Sequence, residues 1–431
     1  MVEMRAERIA RLKETFGKLL EEKFPRPGST LDEIERVTEE VGRELERRIE
    51  EEAVRQEGCG YQGFTTPCEC GQEARYVRLA EKHWLTVHGL LVVRRAYYYC
   101  ARCQRGFAPV DASLGLDRGS TSLRVRDKIA RVGAMVPFAR GARELQALCE
   151  ISVSAKTFAR VAEGIGERIG EEARGIEQEI LSGKVEIPDV APERLYVTLD
   201  GAMLPLQEGW RECKIGAVYE ASPDAEGNAQ AREIEHVGTL ERSARAWEQV
   251  YALAFRRGVE RAQEVIVLGD GAVWIWKRAQ EHFPGCTEIV DFYHASEHLG
   301  AVARVRWGPE SPVGGQWLEA RQSDLLEGRF EQVLTALEAW QPSEPEAEKL
   351  QHQTRGYFRN NRERMRYDEY RARGLHIGSG VAESSCRTIP QARLKLSGMR
   401  WKEPGAEAIL QLRRLWLDAP DTDFTTYARL A

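Results

Sequence analysis

What the chain lacks narrows the field first. Across its 431 residues no apolar run reaches the ~18 residues that would suggest a membrane-crossing helix. The opening residues are charged and helical in pattern, not laid out as a signal peptide, so a cytoplasmic protein is expected. Nine cysteines are too few and too scattered for a disulfide scaffold in a chain of this length. No internal repeat is present, since the twin Asp-Gly-Ala at 200–202 and 270–272 is too short to count as one. A positive excess is also missing: 62 Lys and Arg against 68 Asp and Glu leave a net charge of −6, so contact with nucleic acid must rest on local patches. With 42% hydrophobic and 30% charged residues, what remains is an ordinary globular composition, enough for roughly two to four domains.

Along the chain the character changes several times. Residues 1–57 form an N-terminal helical region. Thr30 and Glu33 make a capping box there, and Ile34, Val37, Val41, Leu45 and Ile49 form one apolar stripe, suited to packing on the rest of the chain or on a second copy. Residues 58–112 mix Cys, Gly and Pro with the strand-like run Leu90–Tyr99 and read as a zinc ribbon-like module. Residues 113–190 are helical again. In "RELQALCEISVSAKTFARVAEGIGERI" (143–169) a break at Ile151–Ser154 separates two helices, which suits a DNA-binding helix-turn-helix or any helical hairpin.

From residue 191 the order becomes β-β-β-α-β-α-β. Strands are expected at Leu195–Leu199, Lys214–Tyr219, Arg232–Val237, Val265–Leu268 and Glu288–Val290, with helices over 241–257 and 272–282. Residues 301–374 are helical and polar, a last helix follows Gly378-Ser-Gly380 within 375–418, and 419–431 form a tail. The fold class expected is α+β and multidomain.

Three expected strand ends carry a carboxylate: Asp200, Asp270 and Asp291. Ligand-binding groups of α/β sheets gather at such ends, although Asp is also a favoured helix N-cap. Capping is an open alternative for Asp270, before a helix. It explains Asp200 poorly, because "GAMLPL" after it has no helical pattern. Two neighbouring carboxylates repel each other unless a cation lies between them. Glu383, in the first turns of the last helix, is the expected third ligand, with an exposed Glu serving the helix dipole as the alternative. Carboxylates without histidine suit Mg²⁺ or Mn²⁺, and a pair of such ions can serve phosphodiester chemistry.

The cysteines offer a second metal centre. Cys68-Glu-Cys70 and Cys100-Ala-Arg-Cys103 are two close couples divided by strand-like sequence, the pattern of a structural four-thiolate zinc site. The first couple has only one intervening residue, which leaves Cys59 as an alternative ligand; Cys149, Cys213, Cys286 and Cys386 read as lone cysteines. His294-Ala-Ser-Glu-His298 matches the inverted zincin pattern, in which His294 and His298 would hold zinc and Glu297 activate water in a metallopeptidase.

Cations crowd two stretches. Arg355, Arg359, Arg362, Arg364, Arg366, Arg371 and Arg373 are interleaved with Tyr357, Phe358, Tyr367 and Tyr370; Arg387, Arg393, Lys395, Arg400 and Lys402 follow Glu383. Phosphate contact needs such cations, and Trp401 offers a ring for an unpaired base. The second stretch is the better DNA candidate, with Arg387, Arg393, Lys395, Arg400 and Trp401 as its contacts; solvated helix faces are the alternative. Of Trp274 and Trp276, two apart, only one need be core.

Four blocks carry a resemblance: "LDGA" (199–202), "GDGAVWIW" (269–276), "DFYHASEHL" (291–299) and "GSGVAESSCR" (378–387). Together they resemble the signature blocks of DDE transposases of the ISKra group of bacterial insertion sequences, in the Mutator-like branch. The resemblance runs over roughly residues 58–418. It implies an RNase H-like catalytic core with Asp200, Asp270 and Glu383 as a triad for two Mg²⁺ (or Mn²⁺) ions, and a helical insertion before the Glu helix. It implies a D-x2-H element, Asp291 to His294, at the periphery of the site. The partners implied are double-stranded DNA, as element ends and as target, and further copies of the chain in a homo-oligomer, on the nucleoid when DNA is bound. Metal-bound water would cut at the element end, and the exposed 3′-hydroxyl would join target DNA. The alternative is a non-catalytic DNA-binding protein derived from a transposase.

Overall fold

The computed structural model describes residues 2–116, 119–223, 229–378 and 380–430, so Ser379 of the Gly-Ser-Gly motif lies outside the described residues. Two compact units divide the chain: one runs to Val161 and includes Asp423–Leu430, the other comprises Ala162–Thr422. The division falls inside a helix.

The first unit opens with α1 (Val2–Lys23) and α2 (Leu31–Gln56). α2 starts at the expected capping box: Glu33 N–H donates to Thr30 Oγ1 at 3.3 Å, and Thr30 N–H donates to Glu33 Oε2 at 2.9 Å. Of the α2 stripe, Val41 is buried while Ile34 and Ile49 are exposed. An antiparallel sheet follows, built of β1 (Thr65–Pro67), β2 (Glu73–Thr86), β3 (Gly89–Cys100) and β4 (Arg105–Phe107) in that spatial order. Next come α3 (Pro109–Ser113), α4 (Leu123–Met135), α5 (Phe138–Cys149) and the start of α6 (Ala155–Leu181).

The expected helix–break–helix is present as α5 and α6. α5 stops because Glu150 turns left-handed at φ 52° and Ile151 N–H reaches back to the Leu145 carbonyl at 3.1 Å, a Schellman ending. Gly141 is needed for close approach, since a Cβ there would lie 2.5 Å from Phe158 Cζ.

The second unit is built on β5 (Arg194–Leu206), β6 (Gly209–Pro223), β7 (Ala229–Thr239), α7 (Ser243–Arg256), β8 (Glu264–Gly269), α8 (Val273–His282) and β9 (Thr287–Val290). The sheet order is β7-β6-β5-β8-β9; β5, β6 and β7 pair antiparallel, while β8 runs parallel to β5 and β9 to β8. Ile266 to Gly269 are all buried, as befits a parallel strand covered on both faces. The core between sheet and helices includes Val197, Leu199, Val250, Leu268, Ile275 and Leu299.

After β9 the chain is helical: α9 (Phe292–Trp307), α10 (Pro312–Leu326), α11 (Phe330–Glu338), α12 (Pro345–Asn361) and α13 (Tyr367–Ala372). Then come α14 (Gly380–Cys386), a π-helical turn over Arg387–Gln391, α15 (Ala392–Leu394) and α16 (Glu403–Asp418), and α17 (Thr425–Leu430) lies in the first unit. Pro390 sits inside the π turn, where its missing N–H accompanies the wider hydrogen-bond ladder. Among the described residues no helix is long and apolar enough to cross a membrane.

One expectation about the strands is corrected. Asp200 does not end its strand, because β5 continues to Leu206 and "GAMLPL" pairs with β6 down to Leu206–Gly209. The parallel pairing of β5 with β8 stops earlier, at Thr198–Leu268. Asp200 therefore lies where the sheet branches, still paired with β6 on one side and past the last β8 partner on the other.

Candidate functional site

Asp200 and Asp270 are brought together at this branch. Asp200 is exposed, yet partial desolvation at the branch raises its carboxyl above the ordinary value, and the neighbouring Asp270 charge raises it further. The Gly201 N–H, 2.6 Å from Asp200 Oδ1, and the Cys386 thiol act in the opposite direction by stabilising the ionised form. Asp270 follows directly on β8, and its Oδ1 accepts the Ala272 N–H at 2.8 Å. The N-cap of α8 is Ala272, so Asp270 closes a turn before the helix rather than capping it.

The Glu383 helix reaches the same place through Cys386, one turn further along α14. The thiol bonds to the Asp200 carboxylate, and its own pKa is raised by burial and by that charge. Glu383 itself turns away: it is exposed and paired with Arg387 at 2.5 Å. The helix is also strapped from behind. His236 Nε2 meets Ser385 Oγ at 2.9 Å and His236 Nδ1 meets Asp418 Oδ1 at 2.5 Å. The order Ser385–His236–Asp418 is that of a nucleophile triad, yet the Ser385 hydroxyl is buried and donates to the Val381 carbonyl at 2.6 Å. Its proton is committed to the helix, so the three residues serve as a strut between α14, β7 and α16. Spacings of 149 and 182 residues hid this strut from a linear reading.

Asp291 is buried and caps α9, its Oδ1 accepting the Tyr293 N–H at 2.9 Å. The capping alternative holds for this carboxylate. His294 lies in the first turn of α9, beyond this cap. Its ring lies edge-on to His298 at 5.8 Å, and Glu297 approaches at 3.8 Å. Burial, then the charge of His294, lowers the His298 pKa.

The four cysteines form a separate centre in the first unit. The turn before β2 carries Cys68 and Cys70, and the end of β3 with its following turn carries Cys100 and Cys103. Antiparallel pairing of Arg75 with Tyr99 puts both turns at one end of the sheet. All four sulfurs lie within 4.8 Å of one another, and among the described residues this is the one such group of three or more His, Cys, Asp or Glu. Backbone N–H groups, chiefly that of Cys103, pull the Cys100 thiol down to about 6, which favours the thiolate that a metal requires. Four sulfurs so placed could hold a zinc ion. Cys59 is not among them, so the single-residue gap between Cys68 and Cys70 is accommodated by the turn, with Gly71 at φ 76°.

The chain belongs to UPF0236, an uncharacterised protein family, whose model matches residues 69–424. No curated protein matches it. The match takes in Asp200, Asp270 and Glu383 and begins one residue after Cys68.

The positive surface of this UPF0236 chain is smaller than its sequence suggests. Arg393 is fully buried with its guanidinium 5.3 Å from the centre of the Trp401 ring, and burial, then repulsion from Arg413, lowers its pKa to about 10. Trp401 is also buried: its Nε1–H donates to the Leu394 carbonyl at 2.9 Å, and its backbone bridges β5 at Leu206. Neither residue presents a surface to DNA, which corrects that expectation; Arg387, Lys395 and Arg400 remain exposed. The earlier arginine stretch is largely occupied within the chain. Arg355 and Arg359 pair with Glu338, Arg362 with Glu331, Arg364 with Glu288, Arg366 with Glu369 and Arg373 with Glu264. Phe358, Tyr367 and Tyr370 between them are core. Trp276 is buried while Trp274 is 40% exposed, so one of the two is core as expected.

Proposed function

We propose that this UPF0236 chain is a DDE-type DNA transposase that cleaves and joins DNA strands at the ends of an insertion sequence, with an RNase H-like core in its second unit. The observation that carries the reading is the branch in the sheet. Three antiparallel strands followed by two parallel ones, with a helix before each parallel strand, is the order such a core requires. Asp200 and Asp270 lie together at the branch, and Cys386 ties the Glu383 helix to it.

The donor set fits hard divalent cations, because it is all oxygen and carries mutual repulsion that a cation relieves. Asp200, Asp270 and Glu383 would hold Mg²⁺ or Mn²⁺, which supplies Lewis-acid activation of water and charge neutralisation at a phosphodiester. Glu383 would join them on leaving its ion pair with Arg387. Arg387, freed in that step, together with Lys395 and Arg400 offers contacts to the DNA backbone. The thiolate site would hold a structural zinc, and α5 with the start of α6 offers a helix-turn-helix for the element ends. A homo-oligomer on DNA belongs to the same reading. The outward-turned Glu383 favours one second reading, a non-catalytic DNA-binding protein derived from a transposase. Incubating the protein and Mg²⁺ with end-labelled DNA from the sequences flanking its gene separates the two: discrete 3′-hydroxyl ends support the transposase, and binding without cleavage supports the second reading.

A further inference from the structure

The loop that carries Asp270 is held from outside its own sheet. The carbonyls of Asp270 and Gly271 fall in the gap between β8 and α8, and both are taken up by α12 of the helical insertion. The Tyr357 hydroxyl donates to the Asp270 carbonyl at 3.0 Å, and Asn361 Nδ2 donates to the Gly271 carbonyl at 3.2 Å. Asn361 is itself fixed, because its Oδ1 accepts the Trp276 Nε1–H at 3.1 Å. Gly271 stands at φ 96°, and a Cβ there would lie 2.6 Å from Tyr357 Cε2, so the loop is shaped to admit the ring. That ring stacks on His298 with centroids 4.0 Å apart and 29° between planes. His298 in turn meets His294 edge-on. One side chain of the insertion thus touches the Asp270 loop directly and the His298–His294 pair through its ring.

We propose that Tyr357 is a positioning residue: its hydroxyl fixes the Asp270 backbone and its ring packs on His298, so that Asp270 is held in place to bind a divalent cation. This deepens the transposase reading and rests on it in one respect, that the carboxylates bind such a cation. It gives the helical insertion a function, and it assigns the H-x-x-E-H run a place in an aromatic stack.

The experiment titrates Mn²⁺ into the full-length, zinc-loaded protein and follows the electron paramagnetic resonance signal of free and bound Mn²⁺. Asp270→Asn serves as the site control. Tyr357→Phe keeps the ring and loses the hydroxyl; it is expected to weaken Mn²⁺ binding about fivefold, the size of one lost hydrogen bond, and to alter the bound-Mn²⁺ spectrum while the melting temperature stays near wild type. His298→Leu keeps the hydroxyl contact, removes the stacked imidazole, and is also expected to weaken binding. Mn²⁺ affinity and spectrum equal to wild type in both variants would overturn the inference alone. A wild type with no Asp270-dependent Mn²⁺ binding would overturn the inference together with the metal-site reading.

Discussion

Replacing Gly271 by alanine tests, at a single atom, whether α12 holds the Asp270 loop. At φ 96° an L-residue occupies a backbone region that costs about 1–2 kcal/mol. The new methyl would sit 2.6 Å from Tyr357 Cε2 and 3.0 Å from its hydroxyl, with Asn361 Nδ2 at 3.1 Å. Tyr357 is pinned by its hydrogen bond and by His298, so it cannot swing away freely. Forcing a methyl into a packed site of this kind adds about 1–3 kcal/mol. The sum, about 2–5 kcal/mol, is a large share of the ~5–15 kcal/mol that holds a domain folded. Urea unfolding should show a lower midpoint with an unchanged slope. In a Tyr357→Leu background the clash with the ring should vanish, leaving the backbone cost of about 1–2 kcal/mol and the tight approach to Asn361. A loss below about 0.5 kcal/mol in the wild-type background, the scale of an ordinary surface substitution, would refute the argument.

Four further outcomes are expected. Cys100→Ser should reduce bound zinc to background in elemental analysis and lower the melting temperature, because a structural zinc contributes directly to folding; unchanged zinc content would contradict the four-thiolate site. Asp200 is raised from its ordinary 3.8 by partial desolvation and then by Asp270. Its protonated form is therefore favoured in the fold; the stability it contributes is present below 3.8 and is lost as pH rises through the higher folded value. Asp200→Asn should accordingly raise the melting temperature of metal-free protein at pH 7, with the gain fading towards about pH 4; a fall at pH 7 would contradict that sign. Arg393→Ala should cost stability by about 2–5 kcal/mol, as for other large buried side chains, whereas Lys395→Ala should leave melting unchanged and reduce the salt slope of DNA binding by about one. An unaltered slope would remove Lys395 from the DNA surface.

Much of the second unit was legible because its signals are local. The runs Leu195–Leu199 and Val265–Leu268 could only be buried strands, and the order of strands and helices followed from spacing. The paired cysteine couples were legible for the same reason. What escaped was whatever depends on residues distant in sequence. Asp200 read as a strand end because a carboxylate followed by glycine interrupts the apolar run, although pairing with β6 carries the strand on through GAMLPL. Arg393 and Trp401 read as surface because arginine is usually solvated and a lone Trp next to Arg400 has no period; burial against each other is a tertiary outcome. Tyr357, Asn361 and Cys386 were missed as site residues because their partners, Asp270, Gly271 and Asp200, lie 87, 90 and roughly twice as many residues away.

Strand transfer is the most direct assay of the proposed chemistry. Wild-type protein with Mg²⁺, a labelled 3′-hydroxyl element end and plasmid target should yield a joined product longer than the substrate, and chelation should abolish it. Asp200→Asn, Asp270→Asn and Glu383→Gln should each remove that product while still binding the DNA end. Joined product from any one of the three would take that residue out of the site, and none from wild type on its own flanking ends would contradict the transposase reading.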